Sequence, residues 1–61
     1  MITLYDLLNI TNLEAELEIL DRDGYLLQEG VRGETMWEDS FLDKRVYMLL
    51  PGIVTKIFLD N

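Results

Sequence analysis

Sixty-one residues make a single domain, 1–61. A chain of this size buries only about 60% of the surface its unfolded form exposes, so its core is small. With no cysteine and no histidine, disulfides, thiol chemistry and zinc-finger ligation are excluded, and stability falls to packing, within the chain or across a subunit interface. Twelve acids against five bases give a net charge of −7, which opposes direct contact with nucleic acid or an anionic membrane and favours basic partners.

The first helix is announced by Thr3 as N-cap and Asp6 three residues on, a capping box, with Ile2 and Leu7 at the positions of a hydrophobic staple. Leu4, Leu7 and Leu8 form its apolar stripe. The helix is brief, because Asn9 and Asn12 suit helix ends and turns. Residues 14–19 alternate strictly between acid and apolar or small side chains, which predicts a strand with one wet face.

Asp21-Arg22-Asp23-Gly24 then turns the chain into a hairpin. A two-residue turn at Asp23-Gly24 sets Gln28 opposite Ile19. A type I turn with Gly24 as the left-handed bulge residue instead pairs Asp21 with Tyr25, Leu20 with Leu26, Ile19 with Leu27, Glu18 with Gln28 and Glu14 with Arg32. The second register keeps apolar against apolar on one face and is the one expected.

Gly30-Val31-Arg32-Gly33 reads as a flexible connection. Thr35-Met36-Trp37-Glu38 repeats the cap-x-x-acid pattern and predicts a short helix through about Asp43, with Trp37 and Phe41 sharing a face toward the sheet. Strands follow over residues 45–50 and 53–59, a helix over residues 43–50 being the alternative to the first. Pro51-Gly52 is the turn between them, with glycine accepting a positive φ. The expected fold class is α+β: an αββαββ domain with a four-stranded, mainly antiparallel sheet and its helices on one face. The pattern leaves strand order open.

Catalytic chemistry finds little to work with. Ser40 and the threonines have no histidine to activate them, and no motif surrounds Lys44 or Lys56. Asp21-x-Asp23-Gly24 fails as a calcium loop, since Ile19 and Gly30 stand where the template needs acids. Gly30-x-x-Gly33 has the spacing of neither phosphate-binding glycine motif. No enzyme activity, metal or cofactor is expected. The absence of an apolar run of about 18–20 residues, and of a basic segment at the start, points to a cytoplasmic protein without a membrane span or secretory signal.

Two surface features remain as candidate partner-binding sites. Glu14, Glu16 and Glu18 fall on one strand face at intervals of about 6.8 Å, close to alternate phosphates of a nucleic-acid strand. Leu20 and Leu26 fall on the same nominally wet face. The apolar residues of the C-terminal hairpin supply both of its faces, so helices on one side cannot cover them all.

Leu4-Tyr5-Asp6-Leu7-Leu8, Leu17-x-Ile19-x-Asp21-x-x-Gly24-x-Leu26 and Ile57-x-Leu59 together resemble small uncharacterised proteins carried by phages and mobile elements of Gram-positive bacteria. The resemblance implies a compact α+β fold, a cytoplasmic setting and an accessory or host-interacting role, of which blocking a host defence nuclease is the sharpest form. It carries no site residues with it. The expected function is a non-enzymatic protein-interaction module, a homodimer or a partner-binding surface working through the C-terminal hairpin. The alternative is an acidic inhibitor that occupies the nucleic-acid groove of a host protein through Glu14, Glu16 and Glu18. Salt separates the two, because a charge-driven complex weakens as ionic strength rises and an apolar one does not.

Overall fold

The structure, a computed structural model, describes residues 2–60. Its first helix, α1 (Leu4–Asn9), begins with the reciprocal cap expected. The Asp6 amide donates to Thr3 Oγ1 at 3.2 Å and the Thr3 amide donates to Asp6 Oδ2 at 3.1 Å. Leu4 and Leu8 are buried, and Leu7 packs beside them. At the other end the Thr11 hydroxyl donates to the Leu7 carbonyl, and Arg32 Nε donates to the Leu8 carbonyl at 2.7 Å. Arg32 thereby brings a cation to a last turn that has none of its own, where the helix carbonyls favour one.

The remaining elements are β1 (Glu16–Leu20), β2 (Leu26–Val31), α2 (Asp39–Leu42), β3 (Arg45–Leu50) and β4 (Val54–Asp60). They form one mixed sheet in the order β2-β1-β4-β3. Two antiparallel hairpins, β1–β2 and β3–β4, join through a parallel pairing of β1 with β4. Residues 2–4 lie along the outer edge of β3, where the Val46 amide donates to the Ile2 carbonyl and the Leu4 amide to the Lys44 carbonyl, both at 2.9 Å.

The core lies between one sheet face and the helices. Leu17 and Ile19 of β1, with Ile57 and Leu59 of β4, meet Leu4 and Leu8 of α1, and Trp37, Phe41 and Leu42 close the side. Central strands supply the buried sheet residues because only they have a neighbour on each edge. Each such aliphatic side chain contributes about 2 kcal/mol. Trp37 and Phe41 pack against this core, as expected, and the Trp37 indole N–H donates to the Arg32 carbonyl at 3.0 Å.

The first hairpin combines both registers weighed from the sequence. Its tip is the expected one: the Asp21 amide donates to the Tyr25 carbonyl, Gly24 has φ 90°, and Leu20 pairs with Leu26. Leu27 is then an extra residue on β2, so Ile19 faces Gln28 and Glu18 faces Glu29, in place of the Leu27 and Gln28 expected. The bulge keeps Leu27 against the core. Gln28 escapes the usual cost of a polar group opposite an apolar one because its amide is used at both ends. Its Nε2 donates to the Met36 carbonyl at 2.9 Å, and its Oε1 accepts the Glu38 amide at 3.0 Å. The shift also places the Arg32 amide on the Ala15 carbonyl and not opposite Glu14.

Two other expectations change. Thr35 does not cap a helix: its hydroxyl donates to the Val31 carbonyl at 2.8 Å, and α2 starts only at Asp39, with Glu38 as an N-cap that makes no side-chain bond. Pro51 and Gly52 do lie in the second connection, which runs over residues 51–53, but the first pair across it is Leu50 with Lys56, while Val54 and Thr55 pair with β1. Among the described residues only Gly24 and Gly30 have positive φ, so Gly52 is not the left-handed glycine expected. The last strand accordingly starts at Val54 and ends at Asp60.

Candidate functional site

Alternation along β1 sends Leu17 and Ile19 toward the helices, and Glu16, Glu18 and Leu20 to the opposite, open face. Paired residues on neighbouring strands share a face, so the register spells out that surface row by row. The first row is Val31, Glu16 and Val54. The second is Glu29, Glu18, Lys56 and Leu50. The third is wholly apolar and crosses all four strands: Leu26, Leu20, Phe58 and Met48.

Beyond the apolar row stands a charged cluster. Asp60 accepts from Arg22 Nη1 at 3.0 Å and lies 3.5 Å from Arg45 Nη2. The Arg22 guanidinium also sits 4.6 Å from the centroid of the Tyr47 ring. These side chains are substantially exposed, so each ion pair contributes at most about 1 kcal/mol. Their effect is to close one end of the band with positive charge. The opposite end is a shallow depression bordered by Glu16, Glu18, Glu29, Val31 and Val54.

Of the residues singled out from the sequence, four come together here. Glu16 is exposed, and Glu18 is half-buried between Glu29 and Lys56. Leu20 is only 8% exposed although it lies outside the helix-side core, whereas its partner Leu26 is 51% exposed. Glu14 is the exception. It sits in the turn before β1, its amide donating to Asn12 Oδ1 at 2.8 Å, so the acidic row expected on one strand contains two residues and not three.

Sequence reasoning counted Phe58 and Met48 among the apolar residues of the C-terminal hairpin without assigning them to a face, and it did not assign Glu29 and Lys56 to this surface. The signal for Phe58 was present: β4 is apolar at Ile57 and Leu59 on one face and at Val54 and Phe58 on the other, the pattern of a strand with two faces to cover. Glu29 and Lys56 could not be found without the bulge at Leu27 and the parallel pairing of β1 with β4.

Elsewhere, the Asp21 carboxylate is engaged by the amides of Asp23 and Tyr25, at 2.9 and 3.0 Å, as a turn residue. Ser40 is exposed on α2. Among the described residues no group of three acids is arranged to hold a metal ion, and no helix is long and apolar enough to cross a membrane. Compared with known proteins, the chain matches no family model, no curated protein and no solved structure.

Proposed function

We propose that this chain is a non-enzymatic protein-interaction module whose docking surface is the open face of its sheet. One observation carries the reading: an apolar row spans all four strands on the face that neither helix covers. The most extended apolar patch on a small folded chain is often where something docks. Compared with the expected C-terminal hairpin, the surface is wider, since Leu20 and Leu26 of the first hairpin join Phe58 and Met48 of the second. The acidic alternative has less to stand on, because Glu14 lies outside the strand and Lys56 stands beside Glu18.

A photo-crosslinking residue tests this directly. Placed at Leu26, it should yield covalent protein adducts in a lysate of the producing cells. Placed at Tyr5, which is 56% exposed on α1, it should yield none of the same species. Equal labelling from both positions, or none from Leu26, would refute the assignment.

A further inference from the structure

Resting on that reading, we infer that the occupant of the open face is a second copy of this chain, packed sheet against sheet about a two-fold axis along the apolar row. The charge distribution argues for it. Glu16, Glu18, Glu29 and Asp60 are set on this face against Arg22, Arg45 and Lys56, which leaves it with a net charge of −1 out of the −7 of the whole chain. Outside these seven residues the chain holds eight acids and only Arg32 and Lys44, a net −6. A basic partner is steered to the strongly negative surface. The open face, poor in net charge and holding three of the five bases, is where another strongly acidic molecule can approach.

The face is also complementary to itself. An isologous contact brings each residue against the partner's counterpart reciprocally. Rotation about the apolar row sets apolar side chains on apolar side chains. It also sets the positive Arg22–Asp60–Arg45 end of each copy over the negative Glu29–Glu18–Lys56 row of the other. Both contacts are made twice.

Size fixes the strength to expect. Four strands about 4.8 Å apart and three rows about 6.8 Å apart outline a face of roughly 400 Å² in projection. Two such faces bury on the order of 1,000 Å² in total, the lower end of specific interfaces. Interfaces of this size are weak or transient, so the dimer should be concentration-dependent.

Sedimentation velocity of the full chain between about 5 and 500 μM reads this out, with circular dichroism to confirm that each variant is folded. The wild-type protein should pass from monomer to dimer across that range and no further. Leu26→Glu and Met48→Glu change positions 51% and 39% exposed, so folding tolerates them, and each should weaken the dimer at least tenfold. Tyr5→Glu should not. Glu18→Arg and Arg22→Glu should each weaken it, and the double variant should recover most of the loss, because the two positions face each other across the axis. A monomer at every concentration overturns the inference, as does a dimer indifferent to Leu26→Glu and Met48→Glu. If the purified chain is monomeric while a crosslinker at Leu26 captures other proteins, the second copy is wrong and the docking face stands. If neither occurs, both fall.

Discussion

Replacing Gly30 by alanine puts a methyl group where the Thr35 side chain already lies. A Cβ at this position collides with Thr35 Oγ1 and comes within 3.1 Å of both Thr35 Cβ and Thr35 Cγ2. Gly30 pairs with the buried Leu17, so the methyl points to the helix side, where Thr35 is held by its bond to the Val31 carbonyl. Overpacking of this kind costs about 1–3 kcal/mol. The backbone adds to it, since φ at Gly30 is 158°, a conformation side-chain-bearing residues rarely adopt, at about 1–3 kcal/mol. The sum, roughly 2–6 kcal/mol, compares with a total stability of about 3–9 kcal/mol for a domain of this length. Thr35→Ala alone should lose only about 1 kcal/mol, the value of its hydrogen bond. In the double variant the clash with Oγ1 and Cγ2 is gone, so the combined loss should fall short of the sum by about 1–2 kcal/mol. Urea unfolding at one fixed protein concentration measures all three, with concentration held constant because the proposed dimer would add to apparent stability. A loss below about 1 kcal/mol for Gly30→Ala, or strict additivity with Thr35→Ala, would refute this account of β2.

Gln28→Leu removes the amide that holds both the Met36 carbonyl and the Glu38 amide; these groups are solvent-accessible, so the expected loss is only about 1 kcal/mol. Hydrogen exchange at the Glu38 amide should quicken in that variant while exchange in β1 and β4 is unchanged. The Asp6 carboxyl is held below the usual aspartate range, first by the Thr3 amide and then by the Thr3 hydroxyl. With its folded pKa depressed, the stability it contributes is fully present above the ordinary aspartate pKa and is lost as pH falls through the lower folded value. An NMR titration should show a depressed midpoint for Asp6, raised only part of the way by Thr3→Ala because the residue 3 amide remains, and Asp6→Asn should flatten the acid limb of stability in that same window.

What was legible in the chain was whatever local chemistry decides. Thr3 and Asp6 are three residues apart and satisfy each other's amides, so the start of α1 needs nothing from the rest of the fold. Gly24 at the tip of the first hairpin is equally local. Thr35 looks the same in sequence and behaves differently, because its hydroxyl has a better placed acceptor in Val31, brought beneath it by the bare surface of Gly30. Gln28 misleads for a related reason. Its fitness opposite Ile19 depends on two backbone groups eight and ten residues further on, which no pairwise polarity rule contains. The acidic row fails at Glu14, where the Asn12 side chain pulls the backbone into a turn before the alternation can begin as a strand.

Strand order was the illegible part, and the candidate site depends on it. Had the two hairpins packed with β2 against β3, β1 and β4 would be the edge strands, and Leu20 and Phe58 would lie at opposite edges of the sheet. Pairing β1 with β4 instead puts Leu20 beside Phe58 at the centre, and the outer strands extend the row to Leu26 and Met48. This order explains why β4 is apolar on both faces: one face belongs to the helices through Ile57 and Leu59, and the other continues the open row. It also explains how a chain of net charge −7 keeps one face close to neutral. The acids of the turns and helices lie off the sheet, Asp60 is matched by Arg22 and Arg45, and Lys56 stands against Glu18. Solubility alone does not require that separation, since charge anywhere on the surface keeps molecules apart. The proposed docking of a second acidic chain on this face would require it.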